Sequence, residues 1–310
     1  MARSLRLGLT PSSVPGDDFH MARTFDVRPM APACGAEVIG LDLRRATEAD
    51  LEIVSQALAV HGVLFFREQD LQPDQQLDIT RRFGSPLRVP YIKHLDQYPD
   101  IIAVLKEADE QQISTFGGTW HSDFSFLATP PSLTLLYALE VPDVGGDTLW
   151  SSQCAAYDAL SNGMKRVLDP LHAVHTGWPH GTNGPSADAA VSRSVGMVRN
   201  DPSADREIVH PLVRVHPVTG RKALFVNPVY TQYIHEMTPE ESRPLLQFLF
   251  EHATKAEFTC RLRWAPGTLA VWDNRCLMHL AINDYDGSRR LLHRTTVAGE
   301  RPLGVTESGS

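Results

Sequence analysis

The chain has 310 residues, of which 42% are hydrophobic and 21% are charged, with 21 glycines and 22 prolines. This is the composition of a globular protein with a sizeable core, and it excludes intrinsic disorder, collagen and coiled coil. The net charge of −8 comes from 29 basic and 37 acidic residues without a long basic run, which argues against a nucleic-acid or anionic-membrane partner.

The first residues do not resemble a folded element. Residues 1–22 are rich in Ser, Pro, Gly and Arg and have little periodicity, so we expect a flexible N-terminal tail, with Met21 as an alternative start. They lack the continuous apolar core of a signal peptide, and no apolar stretch of the chain approaches the ~20 residues of a membrane span. We expect a single domain over residues 23–302, followed by a C-terminal tail over 303–310.

Hydrophobic periodicity predicts many short strands and a few helices. Residues 36–43 alternate like a strand, and residues 63–66 form a short buried strand. Further strands are predicted at 101–106, 132–139, 147–151, 210–215, 223–227, 258–264, 268–273 and 289–297. Helices are predicted at 50–61, 73–83, 151–167 and 238–255. The sequence therefore predicts a mainly β fold with flanking helices and a jelly-roll or barrel core.

One long segment carries little periodicity. Residues 178–206 greatly exceed the usual length of a loop in a compact domain. We expect a lid or a mobile loop there.

The four cysteines, Cys34, Cys154, Cys260 and Cys276, are far apart in the sequence and form no C-x-x-C pair. A zinc or thiol-exchange motif is therefore absent from the sequence. We interpret them as buried thiols of a reducing compartment and expect a cytoplasmic protein.

A candidate metal motif lies in the segment TWHSDF, where His121 and Asp123 are two positions apart. On a strand this spacing puts both side chains on one face, about 6–7 Å apart. Two histidines and one carboxylate that leave open positions are typical of non-haem Fe(II) oxygenases, so a second histidine must come from elsewhere. Taken alone, the spacing fits equally well a hydrogen-bonded histidine beside a turn aspartate.

A second cluster of motifs lies near the C-terminus. The segment VWDNR, residues 271–275, is followed by His279 and then by Arg290 and Arg294 within RRLLHR. Two arginines four positions apart on a strand share a face, with about 13 Å between their Cα atoms. They can therefore address two different anions.

In their order along the chain, WHSDFSF, PPS, GGDTLW, VWDNR, His279 and RRLLHR resemble the taurine dioxygenase group of Fe(II)- and 2-oxoglutarate-dependent dioxygenases, over about residues 24–302. The resemblance implies a double-stranded β-helix (jelly-roll) core, with Fe(II), 2-oxoglutarate and O2 as cofactors. It also implies hydroxylation of a small anionic substrate, with succinate and CO2 as co-products, and a homodimer or homotetramer. By position, it assigns the iron ligands to His121, Asp123 and His279, the far carboxylate of 2-oxoglutarate to Thr148 and Arg290, and the anionic group of the substrate to Arg294.

The sequence departs from taurine dioxygenase in the substrate pocket. Val89 stands where that enzyme has a histidine, Gly117 replaces an asparagine, and Tyr230 replaces a phenylalanine. Phe124 is expected to wall the pocket. Because other segments resemble the aryloxyalkanoate (phenoxypropionate) dioxygenases more closely, we expect an aryloxyalkanoate, an alkylsulfonate or a related acid rather than taurine.

Other interpretations stay open at this point. The chain could be a non-catalytic jelly-roll ligand-binding or sensor protein, or a zinc-dependent hydrolase. His172, His175 and His180 are interpreted as solvent-exposed or hydrogen-bonded residues because no nearby carboxylate completes a zinc site. Arg275 and Arg289 are interpreted as surface or sheet-edge charges.

Overall fold

A computed structural model describes residues 25–110, 115–184 and 195–305. The expected tail at 1–22, with Met21, lies outside these residues. The α-helices are α1 Glu48–His61, α2 Pro73–Phe83, α3 Gln153–Asp158, α4 Asn162–Leu168 and α5 Pro239–Ala253. The strands are β1 Asp26–Pro29, β2 Ala36–Ile39, β3 Val63–Phe66, β4 Ile102–Lys106, β5 Leu133–Glu140, β6 Thr148–Ser152, β7 His172–His175, β8 Ile208–Pro211, β9 Val213–Val215, β10 Lys222–Leu224, β11 Thr231–Ile234, β12 Thr259–Leu262, β13 Leu269–Asp273, β14 Leu277–Ala281, β15 Arg290–Val297 and β16 Leu303–Gly304.

In the part of the chain that the structure describes, the strands form one large sheet and three small ones. The large sheet has the order β1-β2-β3-β13-β5-β15-β4, and its strands are antiparallel except for the parallel pair β2 and β3. The small sheets have the orders β12-β6-β14, β11-β7-β8 and β10-β9-β16. The predicted mainly β fold with a jelly-roll core and flanking helices is confirmed.

Strand β5 shows how the sequence builds two cores from one sheet. Leu135 and Tyr137 lie in the core that the large sheet shares with α1, whereas Leu136 and Ala138 lie in the core between the sheets. Alternate side chains point to opposite faces of a strand, so an unbroken apolar run serves both cores. The functional side chains described below line the core between the sheets.

The helix starts follow local capping signals. Thr238 caps α5 in a capping box with Glu241, and Thr47 caps α1 in the same way with Asp50. The single helix predicted at 151–167 is wrong. The segment forms α3, which ends at Asp158 with Ala159 as its C-cap, and α4, which starts after the N-cap Ser161, whose side chain accepts a hydrogen bond from the Met164 backbone N–H.

Among the strands of the described ranges, hydrophobic periodicity does not predict five, namely β1, β7, β11, β14 and β16, each of two to five residues. The expectation of a C-terminal tail from residue 303 is wrong for Leu303–Gly304, which pair with β9. Residues 306–310 lie outside the described part of the chain.

The segment 178–206 is described over 178–184 and 195–206. It contains two 3-10 turns, Trp178–His180 and Pro202–Asp205. Backbone hydrogen bonds tie it to the loop after α2, from Lys93 to Gly196 and from Val198 to Tyr91. Whether the segment acts as a lid stays a prediction. Within the three described ranges, no helix is both long enough and apolar enough to cross a membrane.

Candidate metal centre and adjoining pockets

The backbone brings the first and last candidate ligands together. His121 forms an isolated antiparallel bridge with His279 of β14. The N–H of His121 donates to the carbonyl of His279 at 3.1 Å, and the reverse hydrogen bond is 2.8 Å. Main-chain pairing rather than side-chain packing therefore sets the spacing of the two imidazoles.

The three predicted ligands converge on one point. Nε2 of His121 lies 3.6 Å from Oδ1 of Asp123, and Nε2 of His279 lies 3.8 Å from the same oxygen. All three ligand atoms lie within 4.8 Å of one another, and all three side chains are buried. Two imidazole nitrogens and one carboxylate oxygen on one side of a cavity form a facial donor set with open positions.

The orientation of each imidazole leaves Nε2 free. Nδ1 of His121 lies 2.7 Å from the carbonyl oxygen of Thr119, so that ring donates through Nδ1 and presents Nε2 to the site. The ring of His279 packs against Trp272, with 4.8 Å between centroids. Burial holds the pKa of the His279 imidazole well below its usual value, and nearby His121 lowers it further. The His279 ring is therefore suited to metal binding in the neutral form, and the His121 ring presents Nε2 to the same site.

Asp123 is held as an ionised carboxylate. Its Oδ2 accepts a 2.7 Å hydrogen bond from the hydroxyl of Thr134 and lies 3.0 Å from Nη2 of Arg294. Burial raises the pKa of the Asp123 carboxyl, but the charge of the nearby Arg294 guanidinium is the largest opposing effect, and the pKa lies well below its usual range. Oδ1 is left facing the two imidazoles.

Thr134 is itself held by a chain of hydrogen bonds. Its hydroxyl accepts from the side-chain amide of Asn274 at 2.9 Å, and Oδ1 of Asn274 accepts from the Trp272 indole at 2.9 Å. Sequence analysis missed Thr134. The sequence did offer a signal. Thr134 is a polar residue in the apolar run of β5, and it has the same parity as Leu136 and Ala138, whose side chains face the core between the sheets.

A narrow cavity of about 30 Å³ adjoins the candidate metal ligands. It is lined by Thr148 and Arg290, the pair that the sequence assigns to the far carboxylate of 2-oxoglutarate. The Thr148 hydroxyl accepts a 2.9 Å hydrogen bond from the indole of Trp264, another residue that sequence analysis did not find. Arg290 is buried, and its Nε and Nη2 have no hydrogen-bond partner among the described residues. Burial lowers the pKa of this guanidinium, and the nearby Tyr285 and Asp147 partly offset this lowering. An anion is the group that such donors require.

A larger pocket of about 150 Å³ opens on the other side of the ligands. Arg294 lines both cavities and is buried, with its Cζ atom 5.4 Å from the centroid of Phe124. Its Nη2 is ion-paired with Oδ2 of Asp123 at 3.0 Å, whereas its Nε makes no hydrogen bond within the described ranges. The rest of this pocket is mainly apolar and includes Ile92, Phe116, Pro179, Met197, Val229 and Tyr230. Arg294 therefore places a cation at the inner end of an apolar pocket.

The other predicted pocket residues have mixed outcomes. Phe124, Gly117 and Tyr230 line the larger pocket, whereas Val89 is 2% exposed, belongs to the hydrophobic core and is not among the residues that line it. The backbone turns after Val89, so that Ile92 reaches the pocket instead. Burial raises the pKa of the Tyr230 hydroxyl, and the Asp123 charge adds to the effect. Tyr230 is therefore protonated at neutral pH.

Arg275 is not a surface charge as expected. Its guanidinium forms a two-point contact with Asp273, at 2.8 Å and 2.7 Å, and its side chain is 14% exposed. Nε2 of His216 lies 3.0 Å from the same carboxylate, whose oxygens are thus occupied. His216, Asp273 and Cys276 form a second group with metal-ligand atoms, but Arg275 neutralises its only carboxylate.

Two of the histidines interpreted as solvent-exposed or hydrogen-bonded are buried and make hydrogen-bond contacts. His175 is fully buried, and its Nδ1 lies 3.2 Å from the hydroxyl of Ser125, so it is a hydrogen-bonded residue as expected. His180 is buried and lines the larger pocket, where its Nδ1 contacts the carbonyl of Val198 at 3.0 Å. Arg289 forms ion pairs with Glu107 and Glu140 at the edge of the sheet.

A family model described as "Taurine catabolism dioxygenase TauD, TfdA family" matches residues 26–296. An alpha-ketoglutarate-dependent sulfate ester dioxygenase from Pseudomonas putida is 34% identical to the chain, with 92% of this chain and 93% of the relative covered. An alpha-ketoglutarate-dependent 2,4-dichlorophenoxyacetate dioxygenase from Cupriavidus pinatubonensis is also 34% identical, with 86% and 96% covered. These relatives agree with the resemblance drawn from the sequence motifs.

Solved structures match over similar lengths. A taurine dioxygenase from Burkholderia xenovorans has a TM-score of 0.77 and 33% identity, with 92% of this chain and 94% of that chain covered. A crystal structure of AAD-2 in complex with Mn(II) and N-oxalylglycine has a TM-score of 0.72 and 29% identity, with 90% and 99% covered.

Proposed function

The chain belongs to the family described as "Taurine catabolism dioxygenase TauD, TfdA family", and we propose that its site of two histidines and one aspartate binds Fe(II) next to 2-oxoglutarate. We further propose that the larger pocket binds an acidic substrate whose remaining part is apolar. The chain is an alpha-ketoglutarate-dependent dioxygenase, an oxidoreductase that acts on small anionic substrates. The convergence of His121, Asp123 and His279 is the observation that carries the proposal.

The donor set fits a ferrous ion. Two neutral imidazoles and one carboxylate leave a divalent ion with a net positive charge, which attracts a dianionic keto acid. The free Nε2 atoms of His121 and His279 and the free Oδ1 of Asp123 would be the ligand atoms. Bound at this site, Fe(II) would activate O2, which is the oxidant both for the hydroxylation of a C–H bond and for the decarboxylation of 2-oxoglutarate to succinate and CO2.

The narrow cavity would hold 2-oxoglutarate. The buried Nε and Nη2 atoms of Arg290 lack partners among the described residues and would receive the far carboxylate of the keto acid. The Thr148 hydroxyl accepts from Trp264 and so keeps its own proton for a second hydrogen bond to that carboxylate. The neutral hydroxyl and the charged guanidinium together would fix the orientation of the co-substrate.

The larger pocket would hold the primary substrate. The unpaired Nε of Arg294 would bind its anionic group next to the metal ligands, and Ile92, Met197 and Val229 would contact its apolar part. Val89 and Gly117 offer no polar side chain for a sulfonate as small as taurine. We therefore propose an aryloxyalkanoate, an alkylsulfonate or an alkyl sulfate ester with a larger apolar body.

The protein's own contribution is binding, orientation and exclusion of water. Arg294 and Arg290 hold two anions on either side of the ligand triad, and the apolar wall of the larger pocket keeps water from the reacting carbon. A zinc hydrolase or a sensor protein has no need of both buried arginines. The relatives named as dioxygenases count against those two alternatives as well.

The test is a substrate panel scored by succinate release. The purified protein is incubated with Fe(II), ascorbate and 2-oxoglutarate together with alkyl sulfates, alkylsulfonates, taurine and aryloxyalkanoates. We expect one of the apolar acids to stimulate succinate release more than taurine does. A panel without any stimulation would remove the substrate proposal.

Paired histidine variants test the metal ligands. His279→Ala should abolish turnover and Mn(II) binding, whereas His293→Ala should retain both, because His293 is on β15 with its side chain on the face opposite to Arg294. Retained turnover in His279→Ala would show that the ligand assignment is wrong. The cytoplasmic location and the assembly as a homodimer or homotetramer stay predictions, which fractionation and light scattering can test.

A further inference from the structure

The larger pocket has a second arginine besides Arg294. Arg199 also lines this pocket, but it is not among the residues that line the narrow cavity on the other side of the metal ligands. Arg294 is buried and lines both cavities, whereas Arg199 is half-buried. Arg294 therefore lies at the inner end of the larger pocket, and Arg199 lies nearer to solvent.

The guanidinium of Arg199 contacts no carboxylate in the part of the chain that the structure describes. Its Nη1 donates to the carbonyl of Pro179 at 3.3 Å, and its Nη2 lies 3.9 Å from Sδ of Met197. Neither acceptor is charged, and a thioether sulfur is a weak acceptor. A guanidinium has more N–H donors than these two contacts use, so Arg199 retains donors for a further acceptor.

The pocket itself does not supply the missing negative charge. Among the described residues that line it, Asp123 is the one carboxylate, and its Oδ2 is already in contact with Thr134 and Arg294. Burial lowers the pKa of the imidazole of His180, another residue of the pocket wall, and the charge of Arg199 adds to this lowering. The positive charge of Arg199 therefore acts within the pocket.

Hydrogen bonds fix the chain on both sides of Arg199. The backbone N–H of Val198 donates to the carbonyl of Tyr91 at 2.7 Å, and the backbone N–H of Asp201 donates to the carbonyl of His180 at 3.0 Å. Nδ1 of His180 lies 3.0 Å from the carbonyl of Val198. Because the chain that carries the guanidinium is already held in place, binding of a ligand there costs less conformational entropy.

The other side chains of the pocket limit where a ligand can carry charge. They are mainly apolar and include Ile92, Phe116 and Val229. An anionic group placed against such side chains would lose its hydration without gaining a partner. A ligand that matches the whole pocket therefore has an acidic group at each arginine and an apolar part elsewhere.

We propose that Arg199 binds a second anionic group of the primary substrate, so that the preferred substrate is a diacid with an apolar spacer between its two acidic groups. This inference rests on the proposed function, in which Arg294 binds the acidic group next to the metal ligands. A carboxylate suits the outer position, because a guanidinium can contact both of its oxygens. Among the acids proposed above, those with a carboxylate at the far end of the apolar body should bind most tightly.

The experiment compares acids that differ in the far group alone. Hexanesulfonate is paired with its ω-carboxy analogue, and phenoxyacetate with its para-carboxy analogue. Titration calorimetry on the full chain with Mn(II) and 2-oxoglutarate measures binding independently of turnover, and succinate release with Fe(II) is measured in parallel. We expect the diacid of at least one pair to bind about 10-fold more tightly than its monoacid, the effect of one charged hydrogen-bonded contact.

Variants in the same segment assign the preference to one side chain. Arg199→Gln should remove the preference for the diacid and leave the affinity for the monoacid unchanged. Arg199→Glu should bind the ω-amino analogue of hexanesulfonate more tightly than the ω-carboxy analogue, because the charge at this position is reversed. Arg206→Gln is the matched control, since Arg206 is exposed and is not among the residues that line the pocket, and it should keep the preference of the wild type.

The outcomes separate this inference from the proposed function. If the monoacids stimulate succinate release and the diacids bind no more tightly, the role of Arg199 is wrong and the proposed function stands. An equal loss of affinity for both acids in Arg199→Gln would show a general attraction of anions and would also overturn the inference. If no acid of either pair binds, the assignment of the larger pocket to the substrate is wrong, and this inference is wrong with it.

Discussion

The guanidinium of Arg294 lies 3.0 Å from Oδ2 of Asp123, and both side chains are buried. The carboxylate thus has one oxygen that faces Thr134 and Arg294 and another that faces the two imidazoles. Because Nε and Nη2 of Arg294 form no other contact of hydrogen-bond geometry in the described ranges, the same guanidinium can serve the metal ligand and still bind a second anion.

Substitution of the two arginines of β15 should affect the KM values of different substrates. Arg294→Gln should raise the KM for the primary substrate by about 10–100-fold, since a hydrogen bond to a charged group contributes roughly 1.5–3 kcal/mol, and should have a smaller effect on the KM for the keto acid. Arg290→Gln should do the reverse because its free donors lie in the other cavity. Steady-state kinetics with each substrate varied in turn measures both effects, and equal effects of the two variants would contradict the separate roles.

Removing the hydroxyl at Thr134 should weaken metal binding. Thr134→Val deletes the 2.7 Å hydrogen bond to Asp123, and the loss of such a supporting contact typically lowers metal affinity by about 10–100-fold. Thr134→Ser keeps the hydroxyl and is the matched control, with affinity close to that of the wild type. Mn(II) titration calorimetry measures both variants. Equal affinities for Thr134→Val and wild type would show that this hydrogen bond does not support Asp123.

A side chain at Gly117 should disturb the metal centre. Gly117 has a φ of +78°, and an added Cβ would lie 3.3 Å from Cε1 of His121. Gly220 has a φ of +68°, and an added Cβ would have no atom within 4 Å. Gly220→Ala is therefore the matched control, because it introduces backbone strain without a steric contact. Both alanine variants should lose about 1–2 kcal/mol of unfolding free energy, but only Gly117→Ala should lose turnover. Urea unfolding and succinate release measure the two effects, and normal turnover in Gly117→Ala would argue against contact with the ligand.

Stability should fall in mild acid because of a buried histidine outside the ligand triad. Burial lowers the pKa of His210 to about 4, whereas the unfolded chain has the ordinary value of about 6.5. Below pH 6.5 the unfolded state therefore binds more protons than the folded state, and stability present above that pH decreases towards pH 4. From the two pKa values the decrease is about 3 kcal/mol. Urea unfolding at several pH values should show a shallower decrease in His210→Gln, and parallel curves would contradict the assignment.

The elements that could be predicted from the sequence are those with a strong hydrophobic pattern, and the site residues that could be predicted are those in the family motifs. Strand β3 and helix α2 have the predicted bounds because an unbroken apolar run and a proline at the first helical position are local signals. Strand β14 was missed although it carries His279. Its five residues are too few to establish a period, and its pairing with β6 and with His121 is entirely non-local.

The pocket was harder to predict than the ligands. Val89 matched the family motif by position, but the turn that follows it brings Ile92 to the cavity instead, and a loop path of this kind depends on tertiary contacts. Thr134 and Trp264 were missed for a related reason. Each acts through one hydrogen bond to a residue more than ten positions away, which no local pattern records.

The backbone bridge between His121 and His279 also has a consequence for biosynthesis. A growing chain that has emerged as far as Asp123 can offer at most two of the three donors, and the third becomes available only when the ribosome has reached His279. Tight binding of a metal ion by the proposed triad would therefore have to follow translation of β14.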